Sequence, residues 1–420
     1  MKKIKFPYGQ EGMVFESQED IEVFQPDCRS PLQDAYTSII KNLLRPLGYH
    51  RTLFDMAKEC KTACIVVDAY YPPDVNHKIL KPLLKTLHAS GMTPENITLL
   101  LASEYPSEFS EEIARQMFAN KTFTDYSIYS HRVAAYTQHE LLGKTSRGTP
   151  VYLDKRLNEA EIKIMVGGIN AHFFYGFSAA PLLLPLGLSG PETIQAFYKL
   201  HDQNTASIYP LFDQNSVLYH ELTQIIDMVG VDFIVNVLID HQHRFIDIFS
   251  GKPTRVIVEI AKNLCSEEFC HVQGQADVVV TCTGSPHSDQ SWYHNLMSIC
   301  LSNTLLSETG TLIYVTSLFD TYDTEQREAI VTKEDIIAQL VRDKVMNVSN
   351  EHILSCLNQL SIVFVSPSYT SDTDFNDQRE VHFCRHFDRA VQVARKDLQR
   401  NPRILLLPDG LYTPICLARP

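Results

Sequence analysis

The stretch richest in chemistry is Gly168-Ile169-Asn170-Ala171-His172-Phe173-Phe174-Tyr175-Gly176-Phe177-Ser178-Ala179-Ala180-Pro181. A histidine titrates near neutrality and can take or return a proton as a general base. The small residues around it let backbone approach a ligand closely. Taken alone, His172 beside two phenylalanines reads as a core or capping histidine; its glycine- and alanine-rich surroundings turn the reading towards a site. Asp68, at the end of an apolar run, reads equally as a cap for the following helix or as a ligand contact. Two histidine pairs have metal-ligand spacing. In Asp240-His241-Gln242-His243 the two rings would share one side of a strand, although a solvated hairpin tip is the plainer reading. In His382-Phe383-Cys384-Arg385-His386 the i, i+4 histidines would share a helix face, but two ligands do not make a structural metal site, and an exposed helix start is the simpler reading.

Such side chains need elements to hold them. Short β-branched runs recur between turn residues at Ala63–Val67, Ile97–Ala102, Ile162–Val166, Phe233–Ile239, Asp277–Cys282, Thr311–Thr316, Ile362–Val365 and Arg403–Leu407, which predicts buried strands. Between them lie helical patterns. From Asp74 to Ser90 the apolar Ile79, Leu80, Leu83, Leu84 and Leu87 recur at helical spacing, with Gly91 just past the end. Alternating strands and helices predict an α/β fold, two domains with largely parallel sheets and a cleft between them as the natural ligand site. A second helix opens at Gly251-Lys252-Pro253-Thr254, and the domain boundary falls between about 262 and 277. That gives an N-terminal domain over 1–265 and a C-terminal domain over 275–420. The last run, Arg403 to Gly410, could return to either sheet.

The 420 residues suffice for two or three cores, and no apolar run approaches the roughly 18 residues that span a bilayer. The amino terminus has no apolar signal segment, so the cytoplasm is the expected location. Ten cysteines without a single CxxC pair point to reduced thiols. A formal charge of −13 disfavours nucleic acid polymers and anionic membranes, because both demand a cationic surface; a small-molecule ligand is the expected partner.

The segment around His172 resembles the motif of the lactate racemase family, in which a histidine precedes Phe-Phe-x-Gly-Phe-Ser-Gly-Gly. Collinear matches extend the resemblance: Leu142-Gly143, Leu153-Asp154-Lys155, Asn236-Val237-Leu238, Phe249-Ser250-Gly251, Asp289-Gln290-x-x-Tyr293 and Pro408-Asp409-Gly410-Leu411. The resemblance implies a 2-hydroxyacid racemase that passes a hydride through a nickel-pincer nucleotide, with His172 as one of two catalytic histidines. It implies cofactor contacts at Asp68, Tyr71, Ser178, Ala179 and Tyr293, and a nickel ligand at His201, near which Tyr198 holds the better register. Tyr293 is also readable as a core aromatic beside Leu296.

The chain departs from the motif at several of these places. The second histidine belongs to a Gly-Phe-His-Arg turn that here reads Ala102-Ser103-Glu104-Tyr105, leaving Glu104 as the one substitute. The cofactor lysine should follow Ser178-Ala179-Ala180, yet the chain continues Pro181-Leu182-Leu183-Leu184, so a covalent tether is excluded and any nickel-pincer nucleotide is held noncovalently. Tyr71 stands where the family has an arginine, and Met297 where it has a lysine, which removes a carboxylate clamp and a second cation. Two functions follow: a racemase or epimerase of a less anionic hydroxy substrate, or a noncatalytic descendant that binds a nucleotide-like small ligand as sensor, carrier or interaction module.

Overall fold

The computed structural model describes residues 2–6, 8, 12–17, 20–24, 30–69, 71–102, 117–118, 123–172, 175–200, 213–240, 242–264, 271–284, 289, 292–320, 325, 329–330, 332–342, 357, 360–369, 372, 381–396, 402–408, 410 and 416–417. They fall into two compact units. The first comprises Met1–Cys28, Ala171–Phe173 and Glu267–Pro420, and the second Arg29–Asn170 and Phe174–Ser266.

The second unit is built on a six-stranded sheet in the order Phe245–Gly251, Phe233–Ile239, Ile162–Gly168, Ala63–Asp68, Ile97–Ala102, Ser127–Ser130. Every neighbouring pair is parallel except the first, an antiparallel hairpin. Ala63–Asp68 and Phe233–Ile239 are buried along their whole length, which is why they read as continuous apolar runs rather than as alternations. The helix Pro73–Ala89 starts with proline at its first position and lays Val75, Ile79, Leu80, Leu83, Leu84 and Leu87 into the core. It ends before Gly91, whose φ of +105° suits a residue without a Cβ.

The first unit holds a parallel sheet in the order Val381–Cys384, Ser361–Val365, Leu306–Val315, Ala276–Thr281, Ile404–Leu407, Ile21–Val23. The terminal run is therefore a strand of this sheet. Ile21–Val23 extends its edge, and the antiparallel pair Lys2–Phe6 and Met13–Ser17 sends Phe6 and Phe15 into the same core as Val278, Ile313 and Phe387. The described strands Lys2–Phe6, Met13–Ser17 and Ile21–Val23 thus pack with the C-terminal sheet.

One sequence expectation is overturned here. His382 and His386 do not share a helix face: Val381–Cys384 is a strand, and His386 is the residue before the helix Phe387–Arg395. Alternating Val381 and Phe383, both buried, suit a strand paired with Ser361–Val365 better than a helical turn. Asp240–His243 does form the tip of a hairpin between Phe233–Ile239 and Phe245–Gly251; His241 lies outside the described residues.

Candidate functional site

The carboxyl ends of the second unit's central strands gather several of the singled-out residues. Ala63–Asp68 ends on Asp68, which is 8% exposed. Asp68 does not cap the helix Pro73–Ala89, whose N-cap is Pro72 with no side-chain cap bond. The turn after Asp68 is pinned by Asn76, whose amide donates to the carbonyls of Asp68 (2.9 Å) and Tyr71 (3.2 Å). Tyr71 is 1% exposed and its hydroxyl donates to the carbonyl of Val237 at 3.3 Å.

Ser178 ends the short strand Gly176–Ser178, Ala179 follows it, and both are buried. Beyond them Ala180–Leu182 makes a 3-10 turn and Leu183–Gly187 a short helix. The turn is set by Asn236, in the middle of an otherwise apolar strand: its side-chain oxygen accepts the N–H of Ala180 at 2.7 Å. Gly167 faces the same turn, since a Cβ there would lie 3.0 Å from the Ala180 Cα. Tyr71 against Gly168 and Ala180 against Gly167 thus bring two of the candidate segments to consecutive residues of one strand end.

His172 closes the short strand Asn170–His172 and is 2% exposed; it falls in the Ala171–Phe173 stretch grouped with the first unit. In that unit Tyr293 lies on the helix Trp292–Asn303, and Met297 on the same helix is 2% exposed. Asp289, 1% exposed, accepts from the Thr316 hydroxyl (2.7 Å) and from the backbone and hydroxyl of Ser317 (2.7 and 2.5 Å), and burial raises its pKa. His201 and Glu104 lie outside the described residues.

Asn76 was passed over by sequence reasoning, and Gly168 and Asn236 were named only as parts of the motif and its collinear matches, without the roles they play here. One signal was available: an asparagine inside the run Phe233–Ile239 is a buried polar residue that must find a partner. A separate polar cluster, around Asp154 of the Leu153-Asp154-Lys155 match, lies in the same unit. Asp154, fully buried, accepts from His131 (2.9 Å) and from the forked guanidinium of Arg156 (2.8 and 2.6 Å). It borders an open cavity of about 580 Å³ lined also by Ala63, Thr98, Tyr129 and Lys155, at the amino-terminal ends of the strands and away from Asp68.

The residues present do not fit a tethered nickel-pincer nucleotide. Leu182, Leu183 and Leu184, which follow Ser178-Ala179-Ala180, are 0% exposed and offer no amine. Among the described residues there is no group of three or more His, Cys, Asp or Glu side chains able to hold a metal ion.

Comparison with known proteins adds ancestry to this geometry. Residues 8–207 match the lactate racemase N-terminal domain. The chain is 22% identical to the lactate racemase of Thermoanaerobacterium thermosaccharolyticum over 98% of both chains, and 20% identical to that of Lactiplantibacillus plantarum over 89% of both. Among solved structures, the lactate racemase apoprotein from T. thermosaccharolyticum superposes with a TM-score of 0.77 at 19% identity, covering the whole of both chains. A protein from Thermotoga maritima follows with a TM-score of 0.60 at 11% identity, covering 94% of this chain and all of that one.

Proposed function

Because the chain belongs to the lactate racemase family, we propose that it is a cytoplasmic descendant that binds a nucleotide-like small ligand through the loop from His172 to Ala180, without the covalently held nickel cofactor. The observation that carries this reading is the sealed run Leu182–Leu184. An amine there would be an ammonium taken out of water, a costly placement. Groups that act together in catalysis lose most of the rate when one is removed, and here the tether, the second histidine and two cations are all replaced.

A second reading has one residue in its favour. His172 is retained, and a histidine there is the base expected of a racemase or epimerase acting on a less anionic hydroxy compound, with a nickel-pincer nucleotide held noncovalently. That group, when bound, would supply a hydride acceptor; His172 would hold the hydroxyl proton, with Asp68, Tyr71, Ser178, Ala179 and Tyr293 as contacts and His201 as metal ligand.

Metal analysis separates the two. The protein is produced together with the enzymes that build the cofactor, purified, and its nickel measured per chain. The first reading expects nickel far below one per chain. A value near one would overturn it in favour of the racemase, in which His172→Ala should then abolish interconversion of the two substrate stereoisomers.

A further inference from the structure

In the second unit the chain runs from Ala63–Asp68 outward to Ile97–Ala102 and Ser127–Ser130, then returns to place Ile162–Gly168 on the other side of Ala63–Asp68. Such a reversal leaves a crevice at the carboxyl ends of the two central strands, and open α/β sheets bind ligands there. Asp68 ends one of these strands and Gly168 the other. The crevice is occupied by the chain's own side chain. A Cβ added to Gly168 would lie 1.7, 2.1 and 2.5 Å from Cε2, Cζ and Cδ2 of Tyr71, so the ring lies directly on the glycine.

That ring is fixed at both ends. Its hydroxyl donates to the carbonyl of Val237, the residue paired with Gly168 in the neighbouring strand. Its backbone is held by Asn76, by its own N–H to the Asp68 carbonyl (3.4 Å) and, one turn earlier, by the Ala69 N–H to the Ala102 carbonyl (2.7 Å). Two prolines then lock the entry to the helix.

We propose that Tyr71 is a resident plug that closes the switch-point crevice of this unit, and that the crevice, once emptied, takes a phenol: a planar ring with one hydroxyl for the Val237 carbonyl. The native protein therefore denies this crevice to any exogenous ring. The plug goes beyond the reading of a lost cofactor and stands or falls separately, because it concerns space within one unit whatever the nickel content.

Tyr71→Ala removes the ring and leaves room for phenol itself. Phenol should raise the melting temperature of Tyr71→Ala in a saturable way, while wild type and Tyr71→Phe, both still filled, should show no such rise. Equal responses in all three proteins would overturn the plug. Should Tyr71→Ala fail to fold alone, Gly168 gives the second test. Gly168→Ala, which keeps the Tyr71 ring in place, should melt several degrees below wild type; a Gly168→Ala protein as stable as wild type would refute the contact.

Discussion

Replacing Asn236 by alanine should weaken the fold and loosen the turn that carries Ser178, by an amount the structure allows to be worked out. Asn236 is fully buried; its side-chain oxygen accepts the Ala180 N–H at 2.7 Å, while its Nδ2 has no partner among the described residues. The variant exchanges one orphan donor for another, since Nδ2 disappears and the Ala180 N–H is stranded. What is lost is the bond itself, about 1 kcal/mol net. The small cavity adds about 1 kcal/mol more at the usual cost per volume, for a total of about 1–3 kcal/mol. Asn236→Asp supplies an internal control. Its carboxyl can accept the Ala180 N–H in either state, but full burial disfavours the charged form, so its folded pKa is raised, and its stability should fall as pH rises, by at most about 1.4 kcal/mol per unit. Urea denaturation at several pH values gives these free energies, and hydrogen exchange of the Ala180 amide reports the turn directly. If Asn236→Ala stayed within about 0.5 kcal/mol of wild type and the Ala180 amide remained as protected as before, the latch would be refuted.

Two further predictions concern the buried cluster near Ala63. Burial alone would raise the carboxyl pKa of Asp154, but hydrogen bonds from Arg156 and His131 outweigh it and hold the carboxyl well below its ordinary range. Its stabilisation is complete above the unfolded value near pH 4 and is lost as pH falls through the folded one; Asp154→Ala should cost about 3–5 kcal/mol at pH 7 by stranding two partners, and should flatten the acid limb of a denaturation profile. His139 packs 5.1 Å from the His131 ring with both its nitrogens buried and unpartnered among the described residues, and burial first, then His131, lower its pKa. The neutral form therefore stabilises the fold above about pH 6.5 and the contribution fades as pH drops through the folded value; His139→Phe should match wild type near pH 8 and exceed it near pH 5, and parallel melting curves at both would count against this.

The two sheets were legible because buried parallel strands are written as unbroken β-branched runs: Ala63–Asp68, Ile97–Ala102, Phe233–Ile239 and Ser361–Val365 all lie where such runs occur. Helix Pro73–Ala89 was legible from its apolar spacing and its Pro and Gly punctuation. Short pieces were not. Lys2–Phe6, Met13–Ser17 and Ile21–Val23 carry too few residues to declare a period, and their membership of the first unit depends on partners hundreds of residues away, Phe15 on Phe387 and Ile21 on Ile404. His382 and His386 misled for a related reason: spacing of four is equally available to a strand followed by a helix cap. Asp68, Tyr71, Ser178 and His172 could be named from type and motif, but not which of them face one another, because a loop's side-chain directions are set by tertiary contacts such as Asn76 on the Tyr71 carbonyl.

The replaced residues share a physical logic. Where the resemblance puts an arginine there is Tyr71, where it puts the tether lysine there is the run Leu182–Leu184, and where it puts a second lysine there is Met297; their exposures are 1%, 0% and 2%. A cation in so enclosed a place survives only beside an anion, so losing a charged ligand would leave each of them a liability worth several kcal/mol. Exchanging the cation for an apolar or aromatic group of similar bulk removes the charge and keeps the volume filled, which is the cheapest route back to a closely packed interior. On that logic Tyr71, Leu182–Leu184 and Met297 keep the interior filled without a charge. Placing a lysine within Leu182–Leu184 should then destabilise the chain, because an ammonium would enter a sealed apolar interior.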